Sequence, residues 1–148
     1  LENIVATMSE TEKAYLAGIV DGEGAITILS RQYRHKNGKV YPVTFLRLMV
    51  TSTSPKLIKW LGAIGGSTAL KNVGPTGHLG KKPIFYWATA SKLSGDILEQ
   101  ILPYLIIKKE QAEAAIAFQS LRRKGKKSQL EKDLDMMFRD KVNARRQL

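Results

Sequence analysis

Two carboxylates, Asp21 and Glu23, lie two residues apart in the run YLAGIVDGEGAITI, Tyr15 to Ile28, among three glycines and a series of apolar residues. The chain around them is basic, with 24 Lys and Arg against 13 Asp and Glu and a formal charge of +11. Carboxylates this close either accept hydrogen bonds from turn amides or hold a cation. A hard divalent ion such as Mg²⁺, which prefers one or two carboxylates with waters and phosphate oxygens, suits the second use. Ala14, Gly18 and Gly22 recur every four residues through the same stretch, and small residues at that spacing let two helix backbones approach closely. The chain has one such segment, so the economical partner is the same helix of a second copy. The expectation is a homodimer with Ala14, Gly18 and Gly22 at its interface and each acid close to its symmetry mate.

The elements that must position these acids are legible as patterns. SETE, Ser9 to Glu12, reads as a capping box, so a helix runs from about Glu10 to Val20. Asp21 and Glu23 then fall just past its C-terminus, where the macrodipole disfavours negative charge, and such breaches of a local rule gather at functional or strained sites. AITILSRQYR alternates as a half-buried strand, with Ile26, Ile28 and Ser30 on one face and Thr27, Leu29, Arg31 and Tyr33 on the other. Asn37-Gly38 marks the turn. The return strand YPVTFLRLMVTST directs Thr44, Leu46, Leu48 and Val50 inward, and Phe45, Arg47, Met49 and Thr51 outward.

Ser54 as cap and Pro55 at the first position open a short helix that glycines close. A strand from about Ser67 to Val73, the loop GPTGHLGKKP and the strand IFYWATA make a second hairpin. SKLSGDILEQILPYL is a helix that Pro103 kinks or ends. KKEQAEAAIAFQSLRR keeps helical spacing through Ala112, Ala115, Ile116 and Leu121, and an amphipathic segment from about Gln129 to Val142 follows. The predicted order is αββαββαα, an α+β domain with helices on one face of an antiparallel sheet. The other face, with Arg31, Tyr33, Arg47 and Thr51, is left to meet something polar. Trp60 and Trp87, among apolar neighbours, are expected in the core.

Composition bounds the function. A chain of 148 residues, 43% hydrophobic and 25% charged, is expected to form one domain over residues 1–148, its core about 9–121 and a basic helical extension about 122–148. The positive excess makes nucleic acid the first partner to consider. Five basic residues in RRKGKK, Arg122 to Lys127, are either a solvated linker or a phosphate clamp. With no cysteine there is no disulfide or thiolate metal site, and His35 and His78, both in loops, cannot assemble structural zinc. No apolar stretch reaches the roughly 18 residues of a membrane span and the start does not read as a secretory signal. A soluble protein located inside the cell, with DNA and without a membrane, is expected. The chain starts at Leu1 and its first methionine is Met8, which fits a trimmed start or a piece of a longer reading frame. No acid forms a carboxylate-x-Lys pair, which argues against the common restriction-enzyme core.

LAGIVDGEG, Leu16 to Gly24, resembles the LAGLIDADG motif of homing endonucleases: it keeps Leu16, Ala17, Gly18, Asp21 and Gly24 and substitutes Ile19, Val20, Gly22 and Glu23. The helix-strand-strand order, met twice, is similar to that family's αββαββα core as far as about Leu121. The resemblance implies the single-motif, homodimeric branch, with two motif helices packed at the centre and each sheet a saddle in the major groove. It implies Glu23 as the metal-binding acid, the Gly22 carbonyl as a backbone ligand, and Asp21 as a mainly structural acid. PYLIIKKEQA resembles the segment that supplies the active-site lysine, placed at Lys108 with Lys109 as the fallback. VTSTSPK makes Ser52 and Lys56 candidates for positioning water.

The activity so implied is Mg²⁺-dependent double-strand cleavage of a long, near-palindromic DNA site, with no small-molecule substrate. Metal held between two carboxylates lowers the pKa of bound water and clamps attacking and leaving oxygens, while Lys108 orients the water or stabilises developing charge. Arg31 and Arg47 carry forked donors suited to guanine edges, and Thr27, Tyr33, Thr51 and Asn72 can bond bases or phosphates. Lys71, Lys81 and Lys82 are expected to position the DNA backbone. The rivals are a relative with a lapsed site, acting as an RNA maturase or DNA-binding regulator, and a ribosomal-type basic protein. The last accounts for the charge but not for an acidic, glycine-striped helix.

Overall fold

The computed structural model describes residues 7–71, 83–122 and 128–144. Helix α1 (Glu10–Glu23) opens at Ser9, whose hydroxyl accepts the Glu12 N–H while the Glu12 carboxylate accepts the Ser9 N–H, the reciprocal box that SETE predicts. The helix does not stop at Val20. It continues through Glu23, so Asp21 and Glu23 belong to its last turn and not to the segment beyond. Helix propensity alone disfavours this turn, with its glycine and two acids at the negative end of the dipole. Tertiary contact overrides it: Leu16, Ala17 and Val20 are buried, and the Asp21 carboxylate is bound by a segment 85 residues away. Gly24 then leads straight into strand. A Cβ there would lie 2.8 Å from both the Cα and the carbonyl oxygen of Val20, so the chain can leave this close to the helix only as glycine.

Strand β1 (Gly24–Arg34) pairs antiparallel with β2 (Val40–Ser52), Gly24 opposite Val50 and Arg34 opposite Val40. Helix α2 (Pro55–Ile64) is capped by the Ser54 hydroxyl, which accepts the Leu57 N–H. Strands β3 (Ser67–Lys71) and β4 (Ile84–Ala90) complete a four-stranded sheet in the order β1-β2-β4-β3. Val73, Asn72, His78, Lys81 and Lys82, with most of the predicted loop, lie outside the described residues. Helix α3 (Ser91–Ile101) ends in a 3₁₀ turn, Leu102–Tyr104, where Pro103 has no N–H to continue it. Helices α4 (Lys109–Ser120) and α5 (Gln129–Asn143) follow. Three helices thus succeed β4, at the three stretches the sequence marks as helical, with the break at Pro103 between the first and the second.

The fold is α+β, and the predicted alternation places the core. Ile26, Leu46, Leu48, Val50 and Trp87 of the sheet are fully buried with Leu16 and Val20 of α1, Leu61 of α2, Ile97 and Leu98 of α3, and Phe118 of α4. Each such side chain contributes roughly 1.5–3 kcal/mol. Trp87 is a core residue whose indole N–H donates to the Gly65 carbonyl at 2.8 Å. Trp60 is not: it is only partly buried, at the rim, edge-on to the exposed Tyr15 ring at 5.1 Å. No helix among the described residues is long and apolar enough to cross a membrane.

Beyond Arg47, which faces Ala90 at the end of β4, strands β1 and β2 continue as a two-stranded ribbon. Ser30 and Thr44, predicted inward, lie past the cover of the core, Ser30 exposed and Thr44 half-buried. A ribbon alone is marginally stable, and side chains from the last helices secure this one by its backbone. Gln111 donates to the Ile26 carbonyl at 3.1 Å and to the Val142 carbonyl. The Asn143 amide accepts the Ile28 N–H at 3.1 Å and donates to the Ile28 carbonyl at 3.2 Å. On the other edge Arg122 donates to the Thr44 carbonyl and is paired with Asp135.

Candidate catalytic and nucleic-acid site

One face of α1 is left uncovered. Ala14, Gly18 and Gly22 are exposed, and a Cβ on Gly18 or Gly22 would meet nothing within 4 Å. Tyr15, 58% exposed, stands beside this stripe and, with Thr11, Lys56, Leu57 and Trp60, lines a groove of about 500 Å³. At the C-terminal end of α1 lie Ile106 and Ile107, 86% and 69% exposed. Exposed apolar side chains thus stand both beside the glycine stripe, at Tyr15, and at its C-terminal end, at Ile106 and Ile107.

The same end of α1 gathers the chemistry. The Asp21 carboxylate accepts the backbone N–H groups of Ile106 at 2.8 Å, Ile107 at 3.2 Å and Lys108 at 2.9 Å. Burial pushes its pKa up, but the three amides and the Lys108 charge outweigh burial and hold it below the ordinary value. The Lys108 ammonium donates to the Asp21 carbonyl at 2.7 Å, so both the side chain and the main chain of Asp21 fix the segment that opens α4. Glu23, the last residue of α1, is exposed and makes no hydrogen bond or ion pair with the described residues. Asp21, Gly22, Glu23 and Lys108 are therefore brought together.

The other candidates are placed differently. Ser52 lies two residues past Val50, the partner of Gly24, at the same end of the sheet, but its hydroxyl accepts the Ser54 N–H at 3.0 Å. Lys56 borders the groove by Tyr15, whose level on the helix axis is about 12 Å from that of Glu23. Lys109 is exposed at the start of α4. No group of three or more acids and histidines able to hold a metal forms among the described residues of one chain.

The outer sheet face pairs Thr27 with Arg47, Leu29 with Phe45, Arg31 with Val43 and Tyr33 with Tyr41. Arg31 lies over the Phe45 ring, 5.3 Å from its centre. Thr27 Oγ1 and Arg47 Nε are shielded from water and have no hydrogen-bond partner among the described residues. Thr51 is exposed near the other end of β2, and Lys71 ends β3 opposite Ile84. The face has the alternation expected of it, with Arg31 and Arg47 set among threonine, aliphatic and aromatic side chains. Gln111 and Asn143 escaped the sequence reading altogether, and Arg122, read there as part of a linker or phosphate clamp, binds Asp135 and the Thr44 carbonyl; the rest of that run, residues 123–127, lies outside the described residues.

Known structures share this architecture. I-CvuI, a homing endonuclease solved in complex with its target and calcium, superposes over 91% of this chain and 82% of its own with a TM-score of 0.63 at 20% identity. I-TnaI, also a homing endonuclease, covers 88% of this chain and 87% of its own with a TM-score of 0.59 at 12% identity. I-LtrWI, a LAGLIDADG homing endonuclease bound to target DNA, gives a TM-score of 0.63 at 16% identity. The fold is that of the LAGLIDADG homing endonucleases. Helix α1 carries the stretch that resembles the LAGLIDADG motif, and the match takes in 98% of this chain but 48% of the I-LtrWI chain. No protein-family model and no curated protein matches the sequence.

Proposed function

We propose that this protein is a site-specific DNA endonuclease that acts as a homodimer through α1 and cleaves both strands of a long, near-palindromic site with Mg²⁺. The observation that carries the reading is the end of α1: Glu23 exposed and making no hydrogen bond or ion pair with the described residues, two residues after Asp21, which holds Lys108 by its carboxylate and its carbonyl. The exposed stripe of Ala14, Gly18 and Gly22 supports the dimer, since open space at both glycines leaves room for a second backbone. Its correspondence to half of I-LtrWI supports the same arrangement.

At the end of α1, among the described residues, one chain offers the Glu23 carboxylate and the carbonyl of exposed Gly22, too few donors for a divalent ion on their own. A twofold crossing at Gly18 and Gly22 would supply the second Glu23, and such a donor set fits Mg²⁺. When bound, the ion would lower the pKa of a water and neutralise phosphoryl charge. Lys108, fixed on the Asp21 carbonyl, would orient that water or stabilise charge developing on a non-bridging oxygen. Arg31 and Arg47, with Thr27, would face the bases, Tyr33, Thr51 and Asn72 would bond bases or phosphates, and Lys71, Lys81 and Lys82 would hold the phosphates. Ser52, at the same end of the sheet, would be the nearer candidate for positioning water, and Lys56, set by Tyr15, would reach only a more distant phosphate.

The test is Glu23→Gln on a randomised DNA library with Mg²⁺, and in parallel with Ca²⁺ or EDTA, sequencing both cut and bound molecules. Mg²⁺-dependent cuts at one near-palindrome that disappear in the variant while binding persists are expected. Loss of binding and cutting together would remove Glu23 from metal binding. Binding without cutting by the unaltered protein would leave a maturase or regulator of the same fold.

A further inference from the structure

The ribbon beyond Thr27 and Arg47 has six outward positions: Leu29, Arg31 and Tyr33 on β1, and Tyr41, Val43 and Phe45 on β2. Only Arg31 among them is charged, and its guanidinium is laid over Phe45. The residues with the polar ends that usually read bases, Ser30, Gln32 and Arg34, alternate onto the opposite face. Among the described residues the outward side is covered only in part: Tyr33 and Tyr41 are 52% and 44% exposed, and Leu29, Val43 and Phe45 are half-buried. An apolar patch on a chain of net charge +11 has a ready polyanionic partner, and the major groove of B-DNA admits a two-stranded ribbon. The apolar group that this groove displays is the thymine C5-methyl, the one base feature there that aliphatic and phenyl side chains recognise directly.

We propose that Leu29, Val43 and Phe45 read thymine methyl groups, so that the outer part of each half-site is rich in A·T pairs. From the Leu29–Phe45 pair to the Tyr33–Tyr41 pair the patch is about 14 Å long, or about four base pairs. Arg31, held by Phe45, lies among these contacts, and Tyr33 and Tyr41 bring hydroxyls toward the phosphates at the distal end. This deepens the endonuclease reading and rests on it, since the ribbon must enter a duplex.

The test leaves the protein unaltered. A duplex selected by the wild-type protein from a randomised library is remade with deoxyuridine for thymine at the outer positions of both half-sites, which removes the methyl and keeps every hydrogen-bonding group. Outer positions rich in A·T, and binding weakened about fourfold for each methyl removed, are expected. A site that is selected and bound but is G·C-rich at its ends, or indifferent to deoxyuridine there, overturns this inference alone. Failure to select any sequence overturns the endonuclease reading and this inference with it.

Discussion

Replacing Asp21 by Asn tests whether the motif's first acid is a structural clasp. Oδ1 accepts the N–H groups of Ile107 and Lys108, and Oδ2 that of Ile106. Asn keeps the first oxygen but turns an NH₂ toward the Ile106 N–H and removes the charge that strengthens all three bonds. Hydrogen bonds to a charged group contribute about 1.5–3 kcal/mol. With Ile106 and Ile107 open to water, replacement by solvent reduces the net loss to about 1–2 kcal/mol. For a chain of this size that lowers Tm by roughly 2–8 °C. The pH dependence carries the sign. The folded-state pKa of Asp21 lies below its ordinary value, so the contribution is fully present above the unfolded value of about 3.9 and is lost as pH falls through the lower folded one. Thermal unfolding followed by circular dichroism from pH 7 to pH 3 should show a constant gap between the two proteins down to about pH 5, closing in acid. Equal Tm values at pH 7, or a gap that does not narrow at all between pH 5 and pH 3, would refute the clasp.

Gly18→Leu should abolish the dimer in sedimentation while leaving the monomer's unfolding almost unchanged, because a Cβ there meets nothing within the chain; an intact, active dimer would place the interface elsewhere. Asn143→Ala should strip the Ile28 N–H and carbonyl of their partner, costing about 1–2 kcal/mol and speeding hydrogen exchange at Ile28, with no change at Val50. Ser91→Gly should stabilise the fold by about 0.5–1 kcal/mol in denaturant titration, since Ser91 sits at φ 55° in the left-handed region. Destabilisation instead would mean that its side chain is needed at the start of α3.

What the sequence disclosed was what local rules govern. The Ser9 box, the Ser54–Pro55 start, the Asn37-Gly38 hairpin and the alternation of Ile26, Ile28, Leu46 and Leu48 each depend on neighbours within a few residues or on a period of two, and each is present. The likeness of the LAGIVDGEG stretch to a known motif pointed to the fold. What remained hidden depends on distant partners. The last turn of α1 is held by amides 85 to 87 residues away, so propensity ended the helix too soon. Trp60 looked like core because its neighbours are apolar, yet α2 turns it to the rim beside Tyr15. The candidate site was legible in the same uneven way: Asp21, Gly22 and Glu23 are contiguous, whereas Lys108 reaches them only through the fold, and sequence spacing gave no sign of the Asn143 and Gln111 contacts.

Asn143 also has a consequence for how the protein is made. It meets Ile28 across 115 residues of chain, and the entropic cost of closing so long a loop delays that contact until most other structure has formed. Until α5 docks, the outer edge of β1 is a bare template on which a second unfinished copy can add a strand. Because the clamp arrives last, refolding success should fall with protein concentration more steeply than the stability of the finished molecule suggests. The +11 charge acts earlier: repulsion between copies protects the open edge during that interval, and added salt, by screening it, lengthens the exposure to misassembly.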